Sequence, residues 1–225
     1  MSSQVTQSKV KAFAVNNTML FFAVILFAAC MIGVPRFATG GNLMNILIQV
    51  SINALIACGM TFVILSDGID LSVGSVAAIA CVAGASLIKQ MPDAGIAACI
   101  AVILVTAVVV GTICGSINGF CIAKLNVPPF IATLAMMNAA RGLAYVFTDA
   151  KPVFGLPDSF GWVGLRSIGV IPVSIVLMVI VIGLSYLVLS KTCFGRYIYA
   201  VGSNKEVAKL TGINVTMTRF SVYVI

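Results

Sequence analysis

The sequence predicts an all-α, polytopic inner-membrane protein, and three observations carry that prediction. Of its 225 residues, 61 % are hydrophobic and only 8 % are charged, where a soluble domain carries roughly a quarter charged residues. The mean hydropathy is +1.16. The apolar residues also gather into runs near the length of about 20 residues that takes a helix across the hydrocarbon core. Six runs meet that description, at 18–34, 43–65, 71–88, 94–123, 128–148 and 168–190. The final residues, "FSVYVI", open a further apolar run that stops before it is long enough to cross. The expectation is therefore about six complete transmembrane helices plus the start of a seventh, in a fragment of a longer chain.

Each run ends on a recognisable signal. Pro35 and Arg36 close the first, and "ILSDGIDLSVGS" (residues 64–75) separates the second from the third. Lys89, Lys124, Asp149 and Lys191 close the third to the sixth. Pro128 and Pro129 suit the start of the fifth helix, because the first turn has no use for the N–H that proline lacks. Lysine and arginine gather in cytoplasmic loops of membrane proteins. The formal charge of +7 is read that way, and no nucleic-acid partner is expected. Lys9 and Lys11 precede the first span, while Lys191, Arg196, Lys205, Lys209 and Arg219 follow the sixth. Six crossings return the chain to its starting side. The division is thus a cytoplasmic tail at 1–17, a permease domain at 18–190, a cytoplasmic loop at 191–215, and the beginning of another span at 216–225. Lys124 falls on the cytoplasmic side, and the charge-balanced loop at 149–166 falls outside.

Several chemistries are excluded. The chain has no histidine, which removes histidine-based metal sites and triads, and no metal site is expected. Its seven cysteines show no CxxC spacing, and all but Cys193 lie within apolar runs, so they read as small hydrophobic residues. "LFAAC" ending at Cys30 faintly resembles a lipoprotein cleavage site, but Phe27 fits it poorly and five further spans follow. No G-x-x-x-x-G-K-[ST] phosphate loop occurs, so any nucleotide that drives this protein binds elsewhere.

Polar residues inside the spans mark packing contacts or a pathway. Asn45, Gln49 and Asn53 recur every fourth residue and share one helix face, with Thr61 further along it. Such a stripe suits either a lining for a hydroxylated solute or bonding between helices. Gly111, Gly115 and Gly119 repeat at the same interval, a groove that lets another backbone come close. Asn118 lies one step from that groove. Thr133, Asn138 and Arg141 interrupt the fifth span; Arg141 either snorkels to the interface or pairs with a carboxylate or solute.

The segment "CFGRYIYAVGSNKEVAKLTGINV" (residues 193–215) has its own plan. Ser203 followed by Glu206 fits a capping box, and Gly212 supplies the left-handed stop. Between them one short amphipathic helix is expected, with Val207, Ala208 and Leu210 apolar and Lys205 and Lys209 outside. A helix this short needs a surface to dock on: a cytoplasmic partner's groove or the membrane.

"GMTFVILSDGIDLSVGS", "GSINGFCIAKLNVPPFIATLAMMNAARGLAYVFTDAKPVFGLP" and "FGRYIYAVGSNKEVAKLTGINV" together resemble the permease subunits of bacterial ABC sugar importers, above all the ribose type. The likeness runs from Asn42 to Val215. It implies a pathway built by two permease copies, a cytoplasmic ABC ATPase that binds the ATP and Mg, and a periplasmic or extracellular sugar-binding protein, all at a lipid-embedded site in the cytoplasmic membrane. No cofactor is implied in this chain. The ATPase-contacting loop of that family is matched at Gly195, Arg196, Ala200, Gly202, Glu206, Ala208 and Gly212, with Ser203 and Leu210 added by the helix reading. The expected substrate pathway comprises Asn45, Gln49, Asn53, Asp70, Ser72, Asn118, Asn138 and Arg141. The alternative is a proton-coupled secondary transporter using Asp67 or Asp70. An intramembrane enzyme lacks its residues, with neither HExxH nor a suitably spaced Ser and Lys.

"ILSDGIDLSVGS" holds two of the chain's six carboxylates. Gly68 is expected to break the helix. Asp70 is expected to cap the next helix by accepting from the amide of Ser72 or Val73. Asp67 is left to a wet loop, or to an ion pair with Arg141 or with the partner permease chain.

Overall fold

In a computed structural model the described residues are 17–160, 167–168 and 171–225. Residues 1–16, 161–166 and 169–170, with the positions of Lys9, Lys11 and Arg166, lie outside them. The chain is a polytopic helical protein. Among the described residues the helices are α1 (Thr18–Gly33), α2 (Gly40–Leu65), α3 (Val73–Lys89), α4 (Ile96–Ala123), α5 (Pro129–Thr148), α6 (Val173–Lys191), α7 (Cys193–Ser203), α8 (Lys205–Leu210) and α9 (Val215–Val224). A 3-10 turn at Asp158–Phe160 and a two-residue antiparallel pair, Ser167–Ile168 with Ile171–Pro172, precede α6.

Length separates the helices into two groups. Four are long and apolar enough to cross a membrane, namely α2, α4, α5 and α6. At 1.5 Å per residue the 28 residues of α4 span about 42 Å, more than the roughly 30 Å hydrocarbon core. The 16 residues of α1 and 17 of α3 are apolar but reach only about 24 and 26 Å. The six helices begin no more than five residues from the expected runs, and the largest difference is α6, which starts at Val173 after Pro172. Pro129 opens α5 with Pro128 as its N-cap, as the missing N–H favours.

The chain forms two compact units. In the first, residues 1–49, α1 stops where Pro35 cannot continue it, Phe27 and Phe37 meet edge to face with centroids 5.3 Å apart, and Asn42 Nδ2 donates to the Phe37 carbonyl at 2.8 Å. In the second, residues 50–225, α3 packs on both α4 and α5, and α9 lies along α4. Most large apolar side chains on these helices are exposed, as lipid-facing residues are; close approach of backbones therefore does the work that apolar burial does in water. Gly115 and Gly119 show how: a Cβ at Gly115 would collide with the Tyr223 carbonyl oxygen, and one at Gly119 would lie 2.9 Å from that of Phe220. The contacts pair the later residue of α4 with the earlier of α9, so the two helices run antiparallel. α9 thus meets two glycines of the expected groove, Gly115 and Gly119.

The buried core gathers Phe62 and Val63 of α2, Ile122 of α4, Ile198 of α7, and Val222 and Tyr223 of α9. Gly115→Val should therefore wedge α9 off α4 and cost about 1–3 kcal/mol or more, read as a lower unfolding temperature in detergent. Ile113→Ala, at an exposed position of the same helix, should cost much less; equal losses for both would contradict the packing.

Candidate functional site

The site is the turn between α2 and α3 and what is packed around it. Helix α2 ends in a Schellman motif: Gly68 N donates to the Val63 carbonyl at 3.0 Å and Asp67 N to that of Ile64 at 3.0 Å. The left-handed residue is Asp67, with φ 60°, not Gly68. Aspartate tolerates that conformation better than most residues. Gly68 is required for a different reason, because a Cβ there would collide with the Tyr223 hydroxyl. Ser66, buried at the cap, donates its hydroxyl to Val63 O at 2.8 Å.

Asp70 then organises the entry to α3. Its Oδ1 accepts from Ser72 N at 2.7 Å, as expected, and also from Ser72 Oγ at 2.6 Å. Ser72 is the N-cap residue of α3, so the carboxylate holds the cap residue and not the first-turn amides. Asn118 Nδ2, from α4, donates to Ser72 Oγ at 3.0 Å. Three of the expected pathway residues thus form one relay, Asn118 to Ser72 to Asp70, with Ser72 and Asn118 1 % and 2 % exposed. Thr133 of α5 closes the turn from the other side, its hydroxyl donating to Pro129 O at 2.8 Å and reaching Ile69 O at 3.4 Å. Asp70, Ser72 and Asn118 line a cavity of about 130 Å³ with Met60, Val76, Val222 and Tyr223 among its walls.

The segment of α7 and α8 meets the same turn. A Cβ at Gly202, near the end of α7, would collide with the carbonyl oxygen of Leu65. Lys205 Nζ donates to Asp67 Oδ2 at 2.8 Å across 138 residues of sequence. The partner of Asp67 is thus Lys205, which replaces the expected pairing with Arg141. Both side chains are well exposed, so the pair orients more than it stabilises.

Helix α7 was not anticipated. Its signals are present: Thr192 caps it, accepting from Gly195 N at 3.1 Å, and Ile198 and Val201 recur at helical spacing and are buried. Gly195 fits there because a Cβ would collide with the Leu189 carbonyl as the chain turns out of α6. Arg196 is exposed and donates to Cys193 Sγ at 2.9 Å, and Ala200 is half-buried. Because α7 runs through Ser203, that residue cannot cap α8. Asn204 does so, accepting from Glu206 N at 3.0 Å and Val207 N at 3.1 Å, which corrects the capping-box reading. Gly212 has φ +85° and ends α8 in a second Schellman motif, with Gly212 N donating to Lys209 O and Ile213 N to Ala208 O, both at 3.1 Å. Ala208 alone of the expected apolar face is buried; Val207 and Leu210 are 54 % and 86 % exposed, and Glu206 is exposed.

Other pathway residues are not drawn into the relay. Asn45, Gln49 and Asn53 are exposed on α2. Asn138 is exposed and donates to the Leu134 carbonyl of its own helix at 2.9 Å, and Arg141 is exposed. Among the described residues no group of His, Cys, Asp and Glu could hold a metal ion.

The cap assignment has a direct test. Asn204→Ala should cost α8 about 1 kcal/mol and speed amide exchange at residues 206–210 roughly fivefold, whereas Ser203→Ala should leave it unchanged; the reverse order would restore Ser203 as the cap.

The family model described as branched-chain amino acid transport system / permease component matches residues 42–225. The ribose import permease protein of Haemophilus influenzae is 37 % identical over 230 residues, covering 100 % of this chain and 69 % of the relative. That of Escherichia coli K12 is 40 % identical over 218 residues, 95 % of this chain and 66 % of the relative. The L-arabinose transport system permease protein of the same strain is 39 % identical over 215 residues, 92 % of this chain and 61 % of the relative. The chain spans about two thirds of the length of these curated relatives. No solved structure matches. The apolar helices agree with these likenesses, and the chain belongs to this transport-system permease family.

Proposed function

We propose that this chain is the membrane permease subunit of an ATP-binding-cassette importer that moves ribose or a related monosaccharide into the cytoplasm. ATP and Mg are bound and used by a separate ATPase subunit, and no bond is made or broken in this chain. A periplasmic or extracellular sugar-binding protein delivers the solute, a second permease copy completes the pathway, and the complex sits in the bacterial inner membrane with the α7–α8 side and the N-terminus cytoplasmic. The names of the curated relatives support the sugar.

The observation that carries the reading is the seating of α7 and α8 on the turn at residues 66–72. An ATPase that gripped the exposed side of this pair, where Glu206, Val207 and Leu210 stand free, would pull on a segment packed without a gap against the Leu65 carbonyl through Gly202. Movement of α8 would shift the end of α2 and the start of α3 together, since Asp67 and Asp70 lie on either side of Gly68. Asn45, Gln49 and Asn53 on α2, Asn118 on α4, and Asn138 and Arg141 on α5 are the polar groups offered to a passing solute. Few and weak contacts suit a pathway, which must release what it admits.

Two outcomes follow. In vesicles holding the full-length complex, disabling the partner ATPase should abolish sugar uptake, and uptake that persists under a proton gradient alone would instead support the proton-coupled alternative. Leu210→Asp, at an exposed position, should lower co-purification of the ATPase about fivefold or more while leaving membrane insertion intact; unchanged co-purification would remove α8 from the contact.

A further inference from the structure

We infer that Asn118 is a positioning residue of the transport cycle: by gripping the cap residue Ser72, it carries a displacement of the α7–α8 segment through the α2–α3 turn onto α4. The inference rests on the sugar-importer reading and deepens it by naming the side chain through which the cytoplasmic stroke reaches a membrane-crossing helix.

The links run without a gap from the segment to the helix. Gly202 brings α7 against the Leu65 carbonyl with no side chain between, and Lys205 Nζ holds Asp67 Oδ2 at 2.8 Å. Beyond Gly68 and Ile69, Asp70 Oδ1 accepts from both N and Oγ of Ser72, at 2.7 and 2.6 Å. The amide nitrogen of Asn118 can only donate, so its 3.0 Å bond to Ser72 Oγ leaves the serine proton to Asp70. The hydroxyl thus works in both directions, as acceptor from α4 and as donor to a carboxylate, the stronger kind of bond. Each bond in such a chain polarises the next.

Burial makes the grip firm. Ser72 and Asn118 are 1 % and 2 % exposed, so parting them would strand two polar groups in an apolar interior. The start of α3 and this stretch of α4 therefore shift together. Helix α4 passes the shift on, since Gly115 and Gly119 bring it into backbone contact with α9 at Tyr223 and Phe220. The link to α5 is of another kind. Thr133 Oγ1 donates to Pro129 O of its own helix at 2.8 Å and reaches Ile69 O only at 3.4 Å, so the hydroxyl belongs to α5 and lets the turn slide past it. The turn is tied to α4 and rests against α5.

The test uses the full-length importer, reconstituted in proteoliposomes with its ATPase and sugar-binding protein, and reads ribose imported per ATP hydrolysed. A variant that only weakens the fold lowers import and hydrolysis together and leaves this ratio alone, whereas a broken linkage lowers the ratio itself. Asn118→Leu, which keeps the volume and removes the donor, should lower it about tenfold, within the usual range of coupling between sites. Ser72→Ala removes the other half of the bond, should give the same loss, and supplies the reading where Asn118→Leu does not assemble. The double variant should be no worse than either single one, because the bond is already gone. Thr133→Val should stay within about twofold of the wild type. An unchanged ratio in Ser72→Ala, or a loss in Thr133→Val as large as in Asn118→Leu, would overturn the assignment. So would losses that add in the double variant, which would place Asn118 against the solute instead. If the wild-type complex imports ribose and the ratios do not move, only this inference falls; if it imports no ribose, arabinose or galactose, the importer reading falls and the inference with it.

Discussion

The structure of this region depends on one steric fact: Gly202 has no side chain, so α7 can lie directly against the Leu65 carbonyl at the end of α2. Any other residue would push α7 away. With it would go the packing of Ile198 against Phe62 and Val63 and the reach of Lys205 to Asp67. The same economy of side chains recurs at Gly68 under Tyr223 and at Gly115 and Gly119 under α9. In a lipid environment apolar side chains have no water to escape, so contact between helices comes from fit and from bonds between polar groups. The glycines supply the fit, and the Asn118–Ser72–Asp70 relay supplies the bonds.

Two aspartates three residues apart therefore have separate tasks. Asp67 takes the left-handed position that ends α2 and faces outward to Lys205 of the loop. Asp70 turns inward, holding Ser72 and, through it, Asn118. One turn thus has a face toward the segment proposed to meet the ATPase and a face toward Ser72 and Asn118 in the interior, with only Gly68 and Ile69 between. A displacement of the first face has a short route to the second, through backbone fixed by two carboxylates.

How much of this was legible in the sequence follows from the range of each interaction. The apolar helices were readable because the thickness of the bilayer imposes their length on local sequence, and Pro128–Pro129 and Gly212 marked boundaries through their own backbone chemistry. The cap of α8 was misplaced by one residue. Ser203 and Asn204 are both good caps, and the Ser-x-x-Glu spacing favoured the first only because α7, whose Ile198 and Val201 period went unread, was not known to occupy it. The Asp67–Lys205 pair joins residues 138 positions apart, and no local pattern names such a partner. The glycine repeat announced a close approach without saying of what: α9 covers Gly115 and Gly119. Asn118 was marked as a residue beside the groove, but its bond to Ser72 required the fold.

The central claim is that α8 and the 66–72 turn move as one body when the transporter cycles. It is tested most directly by replacing Asp67 and Lys205 with cysteine in a full-length chain cleared of other reactive thiols, and bridging them with a short bismaleimide. Uptake by the bridged complex within about twofold of its unbridged form is the predicted result, since the link joins parts that already travel together. Loss of uptake on bridging, with the unbridged variant active, would show that the two must separate and would contradict the account.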